Sequence, residues 1–421
     1  MLLGVFEDRF WRNFTPLTLT RPSFNLLIGT STLLEKIIKS LGYSGRVYLF
    51  TRRYLGGVLS ENFGDWPVNK PESVDDTILM VNGLLLPDRE FAEKALKLEV
   101  GEGLIHGERI IAACISPRNL TSFLEGVESS EPRKLLNKAY EYAGAKTLRY
   151  LWDIINLNHE MIVFEWERPE GLAELDSTVK ILGDQSMIAL GEGASVEGYA
   201  VLDTRSGPIY IGGGTVVKPF SRLEGPLWIG RNCLIESSIV KGGTSIGDNS
   251  RVGGEVEASV IQGHSNKRHL GYLGHSYVGE WVNIGAGTNI SNLKNTYGTQ
   301  RVLIEGRRVD TGRVFLGCFI GDHAKTAIGV QIASAKLVGV SSHVYADAPQ
   351  YIPSFTASTG DGLVEIFIES AIETAKRMMG RRGRTLTPAY EEMLREVHSL
   401  TEDDRMRFGV EKRWLGSRHG F

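Results

Sequence analysis

The chain has 421 residues, 42% apolar and 23% charged, which is the composition of an ordinary globular protein and excludes a disordered or fibrous class. Its formal net charge of −3 offers no overall positive field to nucleic acid, and the basic run from Lys376 to Arg384 reads as a solvated helix end. No apolar run approaches the ~20 residues of a membrane span, "MLLGVFEDRF" turns charged too early for a secretory signal, and Cys114, Cys233 and Cys318 are too scattered for a disulfide framework, so a cytoplasmic protein without a membrane partner is expected.

Residues 1–168 carry strand-like runs "LLGVF", "RVYLF" and "TILMVNG". Between the first two, "STLLEKIIKSLG" has the helical spacing of Leu33, Leu34, Ile37, Ile38 and Leu41, led by a capping box from Thr32 to Glu35. Strands alternating with helices predict an α/β domain with a mainly parallel sheet.

From residue 169 to 350 a different ruler takes over. Ile211, Val217, Leu223, Ile229 and Ile235 recur every six residues; Val240, Ile246 and Val252 follow, then Val278, Ile284 and Ile290, then Val314, Ile320, Thr326, Ile332, Val338 and Val344. A helix repeats its buried face every 3.6 residues and a simple strand every 2, so a sustained period of six predicts a hexapeptide parallel β-helix, a three-sided prism with one aliphatic per side pointing inward. The 49 glycines suit its tight corners. The polar and basic stretch "SNLKNTYGTQRVLIEGRRVDTGR" between Ile290 and Val314 reads as a loop extruded from one coil.

Residues 351–421 read as a proline-led connector and two helices, "GLVEIFIESAIETAKRMMG" and "TPAYEEMLREVHSL", covering the open end of the solenoid.

Three of the nine histidines, His264, His269 and His275, fall within twelve residues. Three imidazoles and a water would make a catalytic zinc site. The ruler opposes a cluster inside one chain, because residues six apart lie about one prism face apart, whereas stacking needs about eighteen. A zinc site between subunits, as in γ-class carbonic anhydrases, stays open as an alternative.

The segment "SNKRHLGYLGHSYVGEWVNIGAGTNISNLKN" resembles the acetyltransferase part of the bifunctional UDP-N-acetylglucosamine pyrophosphorylase / glucosamine-1-phosphate N-acetyltransferase family. The whole chain is similar to an alternative branch of that family, through Pro16 to Pro22, Asn82 to Asp88, Trp152-Asp153, Ser265 to His269 and Leu273 to Ser276. The resemblance implies an N-terminal nucleotidyltransferase-like fold, a left-handed β-helix acyltransferase, acetyl-coenzyme A and Mg²⁺ as cofactors, sugar phosphates and a nucleoside triphosphate as substrates, and a homotrimer.

Position by position, the resemblance places His269 at the catalytic base, Tyr272 in the sugar-phosphate pocket, Asn283 at the asparagine of V-N-I-G-A-G and Asn292 at the asparagine of the following segment. A base of this type is what acyl transfer to an amine requires, since histidine accepts a proton near neutral pH. The chain departs at two cations: Glu257 stands where the family has lysine, and Glu224, with Arg222 nearby, where it has arginine. Lys267, Arg268 and Lys294 are then the candidates to meet the sugar phosphate.

In the first domain the family's glycine loop has become "EDRFWRN", residues 7–13, and its lysine Ser23. Cradling of a triphosphate would fall to Arg9, Arg12 and Arg21, and Mg²⁺ to Asp88 with Asp8 or Asp153. A non-catalytic trimeric scaffold that keeps both folds is the alternative that these losses favour.

Overall fold

A computed structural model describes residues 1–129, 131–167, 173–346 and 348–413. The chain divides into two compact units, Met1–Leu26, Ser31–Leu151 and Pro388–Met393 in one, Leu27–Thr30, Trp152–Thr387 and Leu394–Phe421 in the other. The boundary expected at residue 168 lies outside the described residues.

The first unit is built on six strands: β1 (Leu2–Phe6), β2 (Val47–Phe50), β3 (Ile78–Asn82), β4 (Glu102–His106), β5 (Arg109–Ile115) and β6 (Lys138–Glu141). They lie in the order β2-β1-β3-β5-β4-β6. The three runs singled out in the sequence form the parallel part, β2-β1-β3, and are apolar almost throughout because helices cover such sheets on both faces. The sheet is not parallel throughout: β5 runs antiparallel to β3 and β4. The cause is local, since the tight turn pairing His106 with Arg109 can only join antiparallel neighbours. Helix α1 (Leu33–Ser40) starts on the full capping box, with the Thr32 and Glu35 side chains each bonding the other's backbone. Helices α2 (Gly56–Phe63), α3 (Arg89–Ala95) and α4 (Pro117–Gly126) complete the layers.

The second unit is a left-handed parallel β-helix. On one side Ile211, Ile229, Ile246, Ile261, Val278, Ile320, Val338 and Ile352 stack in register. On another, Leu202, Leu223, Val240, Val256, Leu273, Ile290 and Ile332 do the same. All are essentially solvent-free, and each contributes about 1.5–3 kcal/mol relative to exposure. The third side stacks Val217, Ile235 and Val252, then puts Lys267 in the next inward position.

Val314 departs from the ruler. It is 37% exposed, and the coil resumes only at Phe319 and Ile320, which pair with Tyr277 and Val278. The extruded segment carries its own hairpin, Arg301–Ile304 against Arg307–Asp310, and pairing passes straight across it from Ile290 to Ile332.

The three edges of the prism differ in chemistry. Along the first, Asn232, Asn249, His264, Trp281, His323 and Ser341 hold left-handed φ values of 51–60°. Asparagine tolerates that conformation through its short polar side chain; at His264 and Trp281 ring stacking at 4.5 Å helps to offset its cost. Along the second edge the left-handed residues are Tyr199, Phe220 and Ser237, and then Gly254, Gly287 and Gly329. The third edge carries Ala258, His275 and Ala335, and there the loop is extruded.

Helix α5 (Leu151–Phe164) contributes Asn158 to the solenoid unit, donating to the Gly243 carbonyl at 2.8 Å and accepting from the Gly29 amide at 2.7 Å. The helix expected from residue 362 begins later. Thr356–Thr359 and Gly362–Glu365 form an antiparallel hairpin stacked on the last coil, which closes the end of the solenoid with backbone pairing. The two helices, α6 (Ile368–Gly380) and α7 (Pro388–Leu400), follow. The C-terminal half of α7 packs on that closing segment, His398 meeting Phe355 edge to face at 5.0 Å and Glu365 at 3.0 Å, whereas the chain just after α6 returns to the middle coils, where Arg382 donates to the Asn249 carbonyl at 3.2 Å and to Asn266 Oδ1 at 2.5 Å. No helix among the described residues is long and apolar enough to cross a membrane.

Candidate functional site

The three histidines occupy three different edges. His264, on the first, packs face to face with Trp281 and is held neutral by burial, which lowers its basicity. His269 lies on the second edge, in the turn between Lys267 and Tyr272. His275, on the third, stacks on Phe315 and is likewise pushed towards neutrality by burial. They cannot converge on one ion within a chain, and among the described residues no group of three or more metal-ligating side chains is assembled.

His269 is exposed, and its ring makes no hydrogen bond among the described residues. It borders a cleft of about 570 Å³ with Asn283, Ile284, Gly285 and Ala286 of the next coil. The glycines of the second edge leave its backbone uncovered there, where lower coils carry the exposed rings of Tyr199 and Phe220. One face of the cleft is a ladder of outward residues, Arg251, Asn266, Asn283 and Lys325, each immediately before an inward-pointing one. The opposite wall is α6 and the residue after it, through Thr374, Arg377, Met378 and Arg381. Their spacing of three, four and seven is one face of a helix.

Two expected partners of His269 are elsewhere in the solenoid. Tyr272 donates to Glu257 at 3.0 Å and accepts from Asn292 at 2.7 Å, whose amide also donates to His275 Nδ1 at 2.9 Å. That last bond fixes the unprotonated nitrogen of His275, in keeping with a neutral ring. Burial and the Glu257 charge hold the Tyr272 phenol well above its ordinary range, so it remains a donor. Glu257 stands where the resemblance implies a lysine, and a cation comes from the preceding coil: Lys241 lies 3.5 Å from Glu257 and 2.7 Å from Glu255. Glu224 is matched by Arg222 at 2.6 Å, and Arg222 also pairs with Asp203 at 3.0 Å.

The three cations expected to replace the missing ones are all engaged by the protein. Lys267 is a correction: it is 3% exposed, its ammonium donates to the carbonyls of Gly253 and His269 at 2.8 and 2.7 Å, and burial lowers its pKa to about 8. An inward ladder position cannot deliver a charge to a surface ligand. Arg268 borders the cleft but forks onto Glu236 at 2.9 and 2.6 Å, and Lys294 is tied to the Thr299 carbonyl within the extruded loop. The cleft's cations are instead Arg251, Lys325, Arg377, Arg381 and Arg382. Two signals pointed to them: the basic run Lys376–Arg384, read as solvated, and the outward register shared by Arg251 with Asn283.

In the first unit a cavity of about 360 Å³ opens at the carboxyl ends of β1 and β2, the usual ligand position of such sheets. Its ionisable lining is Glu7, Arg52, Glu125 and Glu128. Where glycines would expose backbone N–H groups to phosphate, the chain's own carboxylates take them. Asp8 caps a 3-10 turn, Arg9–Phe14, by accepting from Phe10 N at 3.0 Å, and Glu7 accepts from Ser23 N at 2.7 Å.

Both carboxylates are then bonded to arginines. Arg109 binds Asp8 at 2.9 Å with Asn82 at 2.8 Å on the same oxygen, and Arg52 binds Glu7 at 3.1 Å while donating to the Thr18 and Arg21 carbonyls and lying over the Trp11 ring. Of the residues expected to cradle a triphosphate, Arg9 pairs with Glu108, Arg12 lies 3.6 Å from Glu128, and Arg21 is buried. Asp88 is the N-cap of α3, accepting from Phe91 N at 2.8 Å and from Tyr142 at 3.0 Å. Asp153 belongs to α5, which falls almost wholly in the other unit. With the Asp8 oxygens saturated and Asp88 capping a helix, these carboxylates do not fit a Mg²⁺ site.

Residues 3–170 match the model of the sugar nucleotidyl transferase family. A bifunctional sugar-1-phosphate nucleotidylyltransferase/acetyltransferase of Sulfurisphaera tokodaii is 42% identical over 94 residues, 22% of this chain and 23% of that protein. The bifunctional protein GlmU of Wolbachia pipientis is 24% identical over 65% of this chain and 64% of its own length. The matched region is thus less than two thirds of each of these relatives. Among solved structures, a UDP-N-acetylglucosamine acyltransferase of Francisella novicida aligns over 55% of this chain and 79% of its own, at 14% identity and a TM-score of 0.28. The chain thus joins a segment similar to the sugar nucleotidyl transferase family to a left-handed β-helix, and over part of its length it is similar to bifunctional GlmU proteins.

Proposed function

We propose that the protein is a sugar-phosphate transferase whose β-helical unit moves an acetyl group from acetyl-coenzyme A to the amine of an amino-sugar 1-phosphate. The observation that carries the reading is the placement of His269. An imidazole whose ring makes no hydrogen bond among the described residues stands on a glycine-lined edge, at the mouth of a cleft rich in cations that suit a phosphorylated donor and acceptor. Acetyl-coenzyme A supplies the activated acyl carbon. His269 takes the amine proton as the C–N bond forms and the C–S bond breaks, and that proton then returns to the departing thiolate. Asn283 orients the substrate from the next coil, and Lys267 keeps the turn in place through the His269 carbonyl. A homotrimer is the assembly that the family resemblance supports.

The first unit does not support Mg²⁺-dependent nucleotidyl transfer by the glycine-loop route, because within the segment that replaces that loop Asp8 accepts from the Phe10 N–H and is itself bonded to Arg109. Two assays test the whole reading. Thiol release from acetyl-coenzyme A with glucosamine 1-phosphate should fall at least 100-fold in His269→Ala; release unchanged by the substitution removes the base. Pyrophosphate release from nucleoside triphosphates and sugar 1-phosphates should be absent, and turnover abolished by Arg21→Ala or Asp88→Ala would restore the first unit as an enzyme.

A further inference from the structure

Arginines side by side repel unless something neutralises them, and ordinary surfaces intersperse carboxylates among them. The cleft beside α6 breaks that rule. Among the described residues no carboxylate lines it, and the side chains of Arg251 and Arg381 make no hydrogen bond or ion pair with the protein. Arg382 bonds only to a carbonyl and an amide oxygen, and burial together with the charges of Arg251 and Arg381 works against its own. Lys325 on the cleft floor is held only by the His323 carbonyl, with burial lowering its pKa to about 8. By contrast, Arg268 and Arg377 at the margin have Glu236 and Glu373.

The wall that brings these charges together is deliberate in register. Ala371, Ile372, Ala375 and Met379 bury one face of α6, while Arg377 and Arg381 sit on the neighbouring face with Thr374 and Met378. Cations in the last turn also complement the helix dipole, but that effect is met by one exposed residue and needs no alignment with Arg251 across a cleft.

We infer that this cleft is a binding site for a ligand with at least two phosphate groups, gripped between Arg251 on the solenoid and Arg381 and Arg382 after α6. The inference deepens the proposed acyl transfer by making the C-terminal helix the element that reads the phosphates. Forked guanidiniums suit phosphate oxygens, and the apolar side of the same cleft, Ile284, Ala286, Ile328 and Met378, leaves room for an uncharged arm. Of the two proposed substrates only the donor carries more than one phosphate, at its nucleotide end, since the amino-sugar acceptor has a single one.

The test titrates the full chain calorimetrically with inorganic pyrophosphate, 3′,5′-adenosine bisphosphate and glucosamine 1-phosphate. The double variant Arg251→Gln/Arg381→Gln is compared with Arg308→Gln, whose charge lies on the extruded hairpin. Pyrophosphate affinity should fall at least tenfold in the double variant and stay unchanged in Arg308→Gln. Because neither Arg251 nor Arg381 makes a side-chain hydrogen bond or ion pair among the described residues, the unliganded double variant should melt at about the same temperature as the parent or higher, and pyrophosphate should raise the melting temperature of the parent alone. Tighter binding of the bisphosphate than of the sugar monophosphate assigns the site to the donor, and the reverse order overturns the inference. Failure of pyrophosphate to bind the parent, or equal binding by the double variant, overturns the inference. Loss of binding in the double variant in a protein that shows no acetyl transfer would keep the site and discard the reaction.

Discussion

Lys267 offers the most direct test of how this solenoid is held together. Its ammonium fills an inward ladder position and is satisfied by two carbonyls, and burial brings its pKa from 10.5 to about 8. The folded chain therefore holds this proton less tightly than the unfolded chain, so stability rises as pH climbs from about 8 towards 10.5 and the penalty is fully present below about 8. Between pH 7 and 9 a single group with these two values adds about 1 kcal/mol to the free energy of unfolding. The perturbation is Lys267→Met, which keeps the length and removes the titration. Urea unfolding of the full chain, followed by circular dichroism at pH 7 and 9, should show the parent gaining about 1 kcal/mol more than the variant. Lys325, with a similar value, is common to both proteins and cancels. The window stops at pH 9 because the buried thiols of Cys233 and Cys318, raised to about 12, act in the opposite direction above it. Equal gains in the two proteins would refute the reasoning and mean that the ammonium is solvated.

Gly253→Ala would place a Cβ 1.9 Å from the Arg268 carbonyl oxygen, so thermal unfolding should report a loss of about 1–3 kcal/mol and acetyl transfer should fall with it as the His269 turn shifts. Arg52→Ala strands the buried Glu7 carboxylate and should cost about 3–5 kcal/mol, whereas Arg46→Ala, an exposed pair with Asp65, should change the same melt little. Burial lowers the His343 pKa to about 3, so the unfolded chain takes up a proton first and stability is lost as pH falls from about 6.5 towards 3. His343→Gln should flatten that acid limb in a urea series, and an unaltered limb would place the loss elsewhere.

The six-residue ruler made the solenoid legible because each inward aliphatic has one place to go. Lys267 escaped it: a long amphipathic stem with its head tied to two carbonyls can occupy an aliphatic position, and periodicity of apolar letters does not register it. Val314 kept the right number without the structure, since an extruded loop need not preserve phase. Edge chemistry was readable in part. The separation of His269 from His264 and His275 followed from spacing, but the pairing of Tyr272 with Glu257 and Asn292 depends on coils of unequal length, 18 residues from Ile211 to Ile229 and 15 from Ile246 to Ile261. In the first unit the missing glycines were visible, and what replaced them was not. Asp8 looked like a ligand for a metal, and only the fold reveals Arg109 against it and Arg52 against the neighbouring Glu7.

The prism's three edges can change independently. The stacked cores touch only through the sides, so a ring ladder on the first edge, bare glycine on the second and a 20-odd-residue excursion on the third coexist without altering the registration of Ile290 on Ile332. Substitutions that reshape substrate choice can accumulate at the second edge, and insertions that recruit a neighbour at the third, each invisible to the other. A solenoid of this kind therefore separates the evolution of its chemistry from that of its assembly, along lines that run the length of the molecule.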